Sequence, residues 1–200
     1  MNEIYFVSHN IYKYSEIKSI VDNRITDLHL KFCKRNITEI QHQKIEKIAI
    51  EKAKFAYNVV KKPIIIEDDG LFINSLNGFP GQYSSYVLKS IGNRGIIRLL
   101  KGYRDRSAFF KSVFVYSNGI IVKVFYGKIN GKISSTIKDD GWGYDPIFIP
   151  FNNNNNNDNK SDTTFAKLNK MNKKNELSHR RIALDKFVKW FNQNNKLNIL

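Results

Sequence analysis

The sequence of 200 residues has little of what marks a secreted, zinc-binding or membrane-spanning protein. Cys33 is its only cysteine, which excludes an internal disulfide, and no histidine stands at metal-ligand spacing from it, so zinc is unsupported. No apolar run approaches the roughly 20 residues that cross a bilayer. The first residues read directly into a strand and not into a signal peptide. We therefore expect a cytoplasmic protein without membrane association.

Acidic residues are scarce beside basic ones, since 18 Asp and Glu face 33 Lys and Arg, for a formal net charge of +15. Clustered Lys and Arg release counterions from phosphates, which raises a nucleic-acid-binding hypothesis. The alternatives are a biased composition with solvated lysines, or attraction of a small polyanion such as a nucleoside triphosphate. We expect no nucleic-acid partner. A basic protein that stacks bases on Trp142 and Tyr144 stays the competing hypothesis.

No Walker loop and no dinucleotide-binding fingerprint is present. The length and the 42% hydrophobic content favour one domain, residues 1–200. The low-complexity, Asn-rich stretch at 152–160 is interpreted as a mobile surface loop.

Alternating apolar patterns predict a mixed α/β sheet with helices packed on it. One helix is predicted to begin after Asn10, its N-cap. Further helices are predicted over 45–59, over 84–101 with a break near Gly92, and over 179–192. The predicted strands cover 4–8, 64–66, 108–116, 120–126 and 133–137, with an Asn-Gly hairpin turn at Asn118 and Gly119. The strand at 64–66 is predicted to end in Glu67-Asp68-Asp69-Gly70.

This acidic triplet is the first candidate for chemistry. Clustered carboxylates repel one another and usually need a cation, and hard oxygen ligands favour Mg²⁺ or Mn²⁺. A solvated acidic turn is the alternative interpretation. The buried Ile64–Ile66 run before the triplet and Gly70 after it make the two interpretations about equally strong.

Two further clusters follow along the chain. Trp142, Tyr144 and Asp145 lie in a glycine-rich loop, where aromatic faces can stack a base and polar groups can read its edge. Core aromatics capping a turn are the alternative. A basic cluster before the last helix either grips phosphate or a base carbonyl, or forms a solvated face; it comprises Lys174, Ser178, His179 and Arg180.

Taken in order, these motifs resemble those of the inosine triphosphate pyrophosphatase family over about 4–191. The most specific match is Leu76-Asn77-Gly78-Phe79-Pro80-Gly81-Gln82-Tyr83-Ser84. The other matching segments are 8–16, Lys52-Ala53, 66–71, Gly141-Trp142-Gly143-Tyr144-Asp145-Pro146, Thr164-Phe165-Ala166 and 174–180. Each alone is weak, but seven in the right order make coincidence very improbable.

The resemblance implies Mg²⁺-dependent hydrolysis, with Mn²⁺ as an alternative ion, of deaminated purine nucleoside triphosphates (ITP, dITP and XTP). The products would be the nucleoside monophosphate and pyrophosphate, which cleanses the nucleotide pool. It also implies a homodimer and an elongated mixed α/β sheet flanked by helices, in two lobes with the active-site cleft between them. A related pyrophosphatase acting on modified pyrimidine or other nucleotides is the nearest rival among enzymes.

The resemblance further implies roles for individual residues. Metal and catalytic carboxylates map to Glu39, Glu67 and Asp68, with Glu46 as the alternative to Glu39 and Asp68 as general base or as the orienter of a metal-bound water. The triphosphate would be held by Lys13, Lys52 and Lys174, with Ser8 and Asn10 in the phosphate loop. Trp142 would stack the base, and the base pocket would be closed by Tyr144, Asp145, Ser178, His179 and Arg180. Arg180 is expected to donate to the carbonyl at C6 of the purine.

Four positions depart from the family pattern. His9 replaces a glycine in the first loop, where its β-carbon either crowds the phosphates or tilts outward. Asp69 replaces a serine or threonine and adds charge beside the metal. Lys167 and Lys173 replace glutamates.

Overall fold

The computed structural model describes residues 2–22, 24–25, 28–151 and 162–196. The Asn-rich stretch at 152–160, predicted to be a mobile loop, lies outside the described residues. None of the described helices is long and apolar enough to cross a membrane.

The described chain forms strands and helices in alternation. The strands are β1 (Asn2–Ser8), β2 (Leu28–Lys34), β3 (Ile64–Ile73), β4 (Pro80–Gly81), β5 (Ser107–Ser117), β6 (Val122–Ile133) and β7 (Phe148–Pro150). The helices are α1 (Ile11–Asp22), α2 (Ile45–Val60), α3 (Ser84–Leu99), α4 (Phe165–Lys170), α5 (Lys174–Leu177) and α6 (His179–Lys196), with a 3₁₀ turn at Asn74–Leu76.

The strands form one mixed sheet. Its order is β2-β1-β3-β5-β6-β7, with β4 paired to β3. Strand β1 runs parallel to β2 and to β3, whereas β4 is antiparallel to β3 and β7 is antiparallel to β6. The predicted mixed α/β sheet with flanking helices is therefore confirmed.

The chain divides into two compact units. Unit 1 comprises Met1–Asp68, Ser112–Gly127 and Arg180–Leu200, and unit 2 comprises Asp69–Lys111 and Lys128–His179. Each unit has its own apolar core. In unit 1, residues of α1 and α6 share a core with β1, and Phe187 is fully buried there beside Trp190. In unit 2, Phe110 lies edge-on to Phe148 and is stacked on Phe165.

Local sequence signals predicted several elements correctly. Asn10 Oδ1 accepts from the backbone N–H groups of Tyr12 and Lys13, at 3.0 and 3.3 Å, and so caps α1 as predicted. Helix α3 breaks at Gly92, whose φ of 62° and ψ of −170° are non-helical. A left-handed φ of this kind suits glycine, which has no β-carbon.

The strand before the acidic triplet is longer than predicted. Strand β3 does not end at Glu67 but continues through Gly70 to Ile73. Gly70 lies within the strand, where a β-carbon would collide with the carbonyl oxygen of Gly81 on β4. Glycine here permits the close approach of a neighbouring backbone.

Two other differences concern the bounds and number of strands. Strand β2 was not predicted, although Leu28 and Leu30 are buried and alternate with polar residues, which is the pattern of a strand with one buried face. The predicted strand at 133–137 is wrong, because β6 ends at Ile133. Beyond it, Ser134 Oγ donates to the carbonyl of Thr136 and the chain turns.

Candidate active site

The loop between β1 and α1 is held by its own side chains. Ser8 Oγ accepts from the N–H of Asn10 at 3.1 Å, and Asn10 Oδ1 caps the first turn of α1. These bonds place Lys13 in that first turn, with its side chain largely buried. His9 is exposed.

Glu67 is buried among positively charged and hydroxyl groups. Its Oε2 lies 2.8 Å from Lys13 Nζ, while Oε1 accepts from Ser112 Oγ at 2.7 Å and from Arg180 Nε at 3.2 Å. Arg180, 1% exposed, also pairs through Nη1 with Glu16 Oε2 at 2.5 Å. Both oxygens of Glu67 are therefore engaged by groups of unit 1. Arg180, expected at the base, is bound to carboxylates.

Asp68 is paired on one oxygen only. Its Oδ1 accepts from Lys52 Nζ at 2.8 Å, and the same amine donates to Glu39 Oε1 at 2.5 Å. Asp68 Oδ2 is buried and accepts no hydrogen bond from the residues that the structure describes. Asp68 thus keeps one oxygen available to accept a proton or bind a cation.

Burial and charge act in opposite directions on this pair. Burial raises the pKa of Asp68 above its ordinary value, although Lys52 and Lys13 partly oppose it. Burial alone would lower the pKa of Lys52, but the attraction of Asp68 and Glu39 outweighs burial, so that pKa is raised. Lys52 therefore stays charged, while Asp68 is a stronger proton acceptor than a solvated aspartate.

The side chains around Asp68 offer few ligands for the predicted metal ion. Within 2–22, 24–25, 28–151 and 162–196, no three or more His, Cys, Asp or Glu side chains lie close enough together to hold a metal by themselves. Mg²⁺ in nucleotide enzymes is usually held by one or two carboxylates together with substrate phosphates. The buried Oδ2 of Asp68, beside the half-exposed carboxylate of Glu39, fits that mode.

The alternative to Glu39 as a metal-site residue is Glu46, which lies on α2. Glu46 is in the first turn of that helix. Its charge acts on Tyr126, whose pKa is raised mainly by burial of the phenol and also by the negative charge of Glu46. Glu39, by contrast, shares the amine of Lys52 with Asp68. This placement favours Glu39 as the metal-site glutamate.

Unit 2 contains a second buried pair of opposite charges. Lys174 Nζ lies 2.7 Å from Asp145 Oδ2, with both side chains less than a tenth exposed. The same amine is 6.0 Å from the ring centroid of Trp142 and 5.7 Å from that of Phe165. Trp142 itself is 40% exposed. Lys174, expected at the triphosphate, is therefore paired with residues expected at the base.

His179 is held by aromatic rings. Its imidazole stacks on Phe110, with centroids 4.7 Å apart and planes 10° from parallel. Its Nε2 is 3.5 Å from Oδ2 of Asp69, the residue that departs from the family pattern. Ser178 is fully buried where α5 ends.

Tyr144 serves the core of unit 2. Its hydroxyl donates to the carbonyl of Ser84 at 2.8 Å, and burial raises the pKa of its phenol. The ring belongs to the apolar cluster that contains Phe148 and Phe165. The interpretation of Tyr144 as a core aromatic thus has direct structural support, and its predicted role at the base stays a prediction.

Comparison with known proteins identifies the family. The model of the Ham1 family matches residues 4–190, nearly the whole chain. The chain belongs to the Ham1 family. This confirms the resemblance read from the seven motifs.

Two relatives and one solved structure are similar to most of this chain. The dITP/XTP pyrophosphatase of Korarchaeum cryptofilum is 44% identical over 74% of this chain and 79% of its own length. The dITP/XTP pyrophosphatase of Methanopyrus kandleri is 39% identical over 96% of this chain and 97% of its own. The structure of the Staphylococcus aureus Ham1 protein has a TM-score of 0.80 at 30% identity and covers 96% of this chain and 100% of its own.

Two residues of the Glu67 cluster, Glu16 and Ser112, were given no role from the sequence. Glu16 stands three residues after Lys13, so both lie on one face of α1, and this spacing was an available signal. Ser112 stands among the apolar residues of β5 and is completely buried. A polar residue at a core-facing position is a hint of a buried polar partner.

Proposed function

We propose that this Ham1 family protein is a hydrolase that cleaves deaminated purine nucleoside triphosphates (dITP, ITP and XTP) to the monophosphate and pyrophosphate. The names of the relatives support the reaction class. The observation that carries the proposal is the buried Oδ2 of Asp68, which has no hydrogen-bond donor among the described residues and lies on a carboxyl group paired with Lys52.

The groups of unit 1 suit attack of water on the α-phosphorus. Asp68 Oδ2, which has no hydrogen-bond donor among the described residues, either accepts the proton of the attacking water or, with Mg²⁺ bound, orients that water. Lys13 and Lys52 offset the charge that develops on the phosphate oxygens. Mg²⁺, when held by Asp68 and Glu39, would neutralise phosphate charge and orient the triphosphate.

The groups of unit 2 suit selection of the base. Hypoxanthine and xanthine present a carbonyl acceptor at C6 and an N–H donor at N1, whereas adenine presents an amino donor and a bare nitrogen. The ammonium of Lys174 and the carboxylate of Asp145 form a donor and an acceptor side by side, 2.7 Å apart. They match hypoxanthine and leave polar groups unpaired against adenine. The exposed face of Trp142 stacks the ring.

We further propose a cytoplasmic homodimer. The cytoplasmic part rests on Cys33, the only cysteine, which is free and suits a reducing compartment. The dimer rests on the family resemblance alone, and light scattering after size exclusion tests it: a monomer mass at micromolar concentration would contradict it.

A substrate panel with a pyrophosphate readout tests the proposed reaction. We expect pyrophosphate release from dITP, ITP and XTP in Mg²⁺, far slower release from ATP and dUTP, and loss of release in EDTA that added Mg²⁺ or Mn²⁺ restores. Preference for dUTP or another pyrimidine nucleotide would favour the rival pyrophosphatase. Salt-sensitive oligonucleotide binding with no pyrophosphate from any nucleotide would favour the nucleic-acid-binding hypothesis.

A further inference from the structure

Of the adjacent carboxylates of Glu67 and Asp68 on β3, that of Glu67 is the less suited to reaction. Its Oε2 faces Lys13 Nζ at 2.8 Å, and its Oε1 takes two hydrogen bonds, from Ser112 and Arg180. The side chain of Glu67 is fully buried, whereas Asp68 keeps its Oδ2 without a donor among the described residues. Glu67 is arranged to hold cations of its own chain in place.

Ser112 is the neutral member of this arrangement. The hydroxyl is fully buried on β5 and donates to Oε1 at 2.7 Å, on the same oxygen as Arg180 Nε. Two donors on Oε1 fix the rotation of the carboxylate, so Oε2 is directed at Lys13. Glu16 in turn holds the other end of the Arg180 guanidinium.

We infer that Ser112 is a positioning residue, which orients Glu67 so that the ammonium of Lys13 is fixed for a substrate phosphate. The inference rests on the proposed function, in which Lys13 binds phosphate. It assigns Glu67 to anchoring, and not to the metal or to proton transfer. Ser112 acts through Glu67 and Lys13 and touches no substrate.

A double-mutant cycle on phosphate binding tests this route. The probe is inorganic tripolyphosphate, measured by calorimetry in metal-free buffer, because it has no base and needs no turnover. We expect Ser112→Ala to raise the Kd for tripolyphosphate about tenfold, the size of effect seen when the outer partner of a metal ligand is lost. In the Lys13→Met background, Ser112→Ala should raise the Kd for tripolyphosphate less than about twofold, because the ammonium that Ser112 positions is already absent.

Ser117→Ala is the matched control, since Ser117 is also a buried serine on β5 and its Oγ accepts from the N–H of Gly119. It should leave the tripolyphosphate Kd unchanged. If Ser112→Ala does not fold, Ser112→Cys, a weaker donor of similar size, takes its place with the same expected coupling.

Three results would overturn the inference: equal weakening by Ser112→Ala in both backgrounds, equal weakening by Ser117→Ala, or no tripolyphosphate binding by the wild-type protein. Pyrophosphate release from dITP is measured separately on the wild type. Coupling without dITP hydrolysis would refute the proposed function and keep the positioning role. Hydrolysis of dITP without coupling would refute the positioning role of Ser112 and keep the proposed function.

Discussion

The two units each contain a largely buried Lys–Asp pair, and the pairs differ in their surroundings. Lys52–Asp68 in unit 1 and Lys174–Asp145 in unit 2 are 2.8 and 2.7 Å long. Lys52 is shared with a second carboxylate, Glu39, and Asp68 keeps a buried oxygen without a donor among the described residues. Lys174 instead lies about 6 Å from the ring centroids of Trp142 and Phe165.

Because their surroundings differ, the lysine and aspartate of the two pairs are suited to different chemistry. An excess of carboxylate over ammonium around Lys52 leaves negative charge to accept a proton or a cation. The Lys174–Asp145 pair, which lies among aromatic rings, offers one donor and one acceptor beside the stacking face of Trp142. The identity of a lysine or aspartate in a motif therefore does not determine its role.

The largest effect is expected for Asp68→Asn, which removes the proton acceptor of unit 1 and keeps its size. Pyrophosphate release from ITP should fall about 10²–10⁴-fold in a steady-state assay. Near-wild-type turnover would mean that the reaction does not depend on Asp68.

The same variant should melt at the wild-type temperature or higher. The pKa of Asp68 is raised in the fold, so the stability it contributes is complete below its ordinary pKa of 3.8 and is lost as pH rises through the folded pKa. Asn does not ionise, so the advantage of the variant should grow from pH 4 to pH 7. A variant that melts lower at pH 7 would show that the charge of Asp68 stabilises the fold.

Arg180→Ala tests whether Arg180 belongs with the carboxylates of unit 1. Because it bonds Glu67 and Glu16, its loss should reduce kcat/KM for ITP and ATP by a similar factor, about 10²-fold, through misplaced groups. Removing this buried cation from Glu67 and Glu16 should also lower the free energy of unfolding by about 3–5 kcal/mol.

Arg181→Ala is the neighbouring control, since Arg181 pairs with Asp185 near the surface. It should change the free energy of unfolding by less than about 1 kcal/mol. A loss for ITP much greater than for ATP in Arg180→Ala would instead support the role at the purine carbonyl predicted from the sequence.

The smallest of these effects is expected for Lys174→Gln, which breaks the pair of unit 2. The ratio of kcat/KM for ITP over ATP should fall about 10–100-fold, because a shorter, neutral amide replaces the ammonium donor. Tripolyphosphate binding should be retained. Lys170→Gln, at the exposed pair with Asp139, is the control and should leave the ratio unchanged. Loss of tripolyphosphate binding would return Lys174 to the triphosphate, as the sequence predicted.

The sequence alone determined the family, most of the helices and strands, and which residue types gather for chemistry. These features depend on local signals: Asn10 caps α1, the Ile64–Ile66 run forms a strand, and Gly92 breaks α3. Motifs in order along the chain were sufficient to identify the Ham1 family.

Only the tertiary structure decided which cation meets which carboxylate. Arg180 reaches Glu67 across 113 positions of the chain, and Ser112 reaches it across 45. Such pairings arise when buried charges must be matched after distant segments have packed, and no local pattern encodes the choice. The sequence therefore named the charged groups, and packing assigned Arg180 to Glu67 and Lys174 to Asp145.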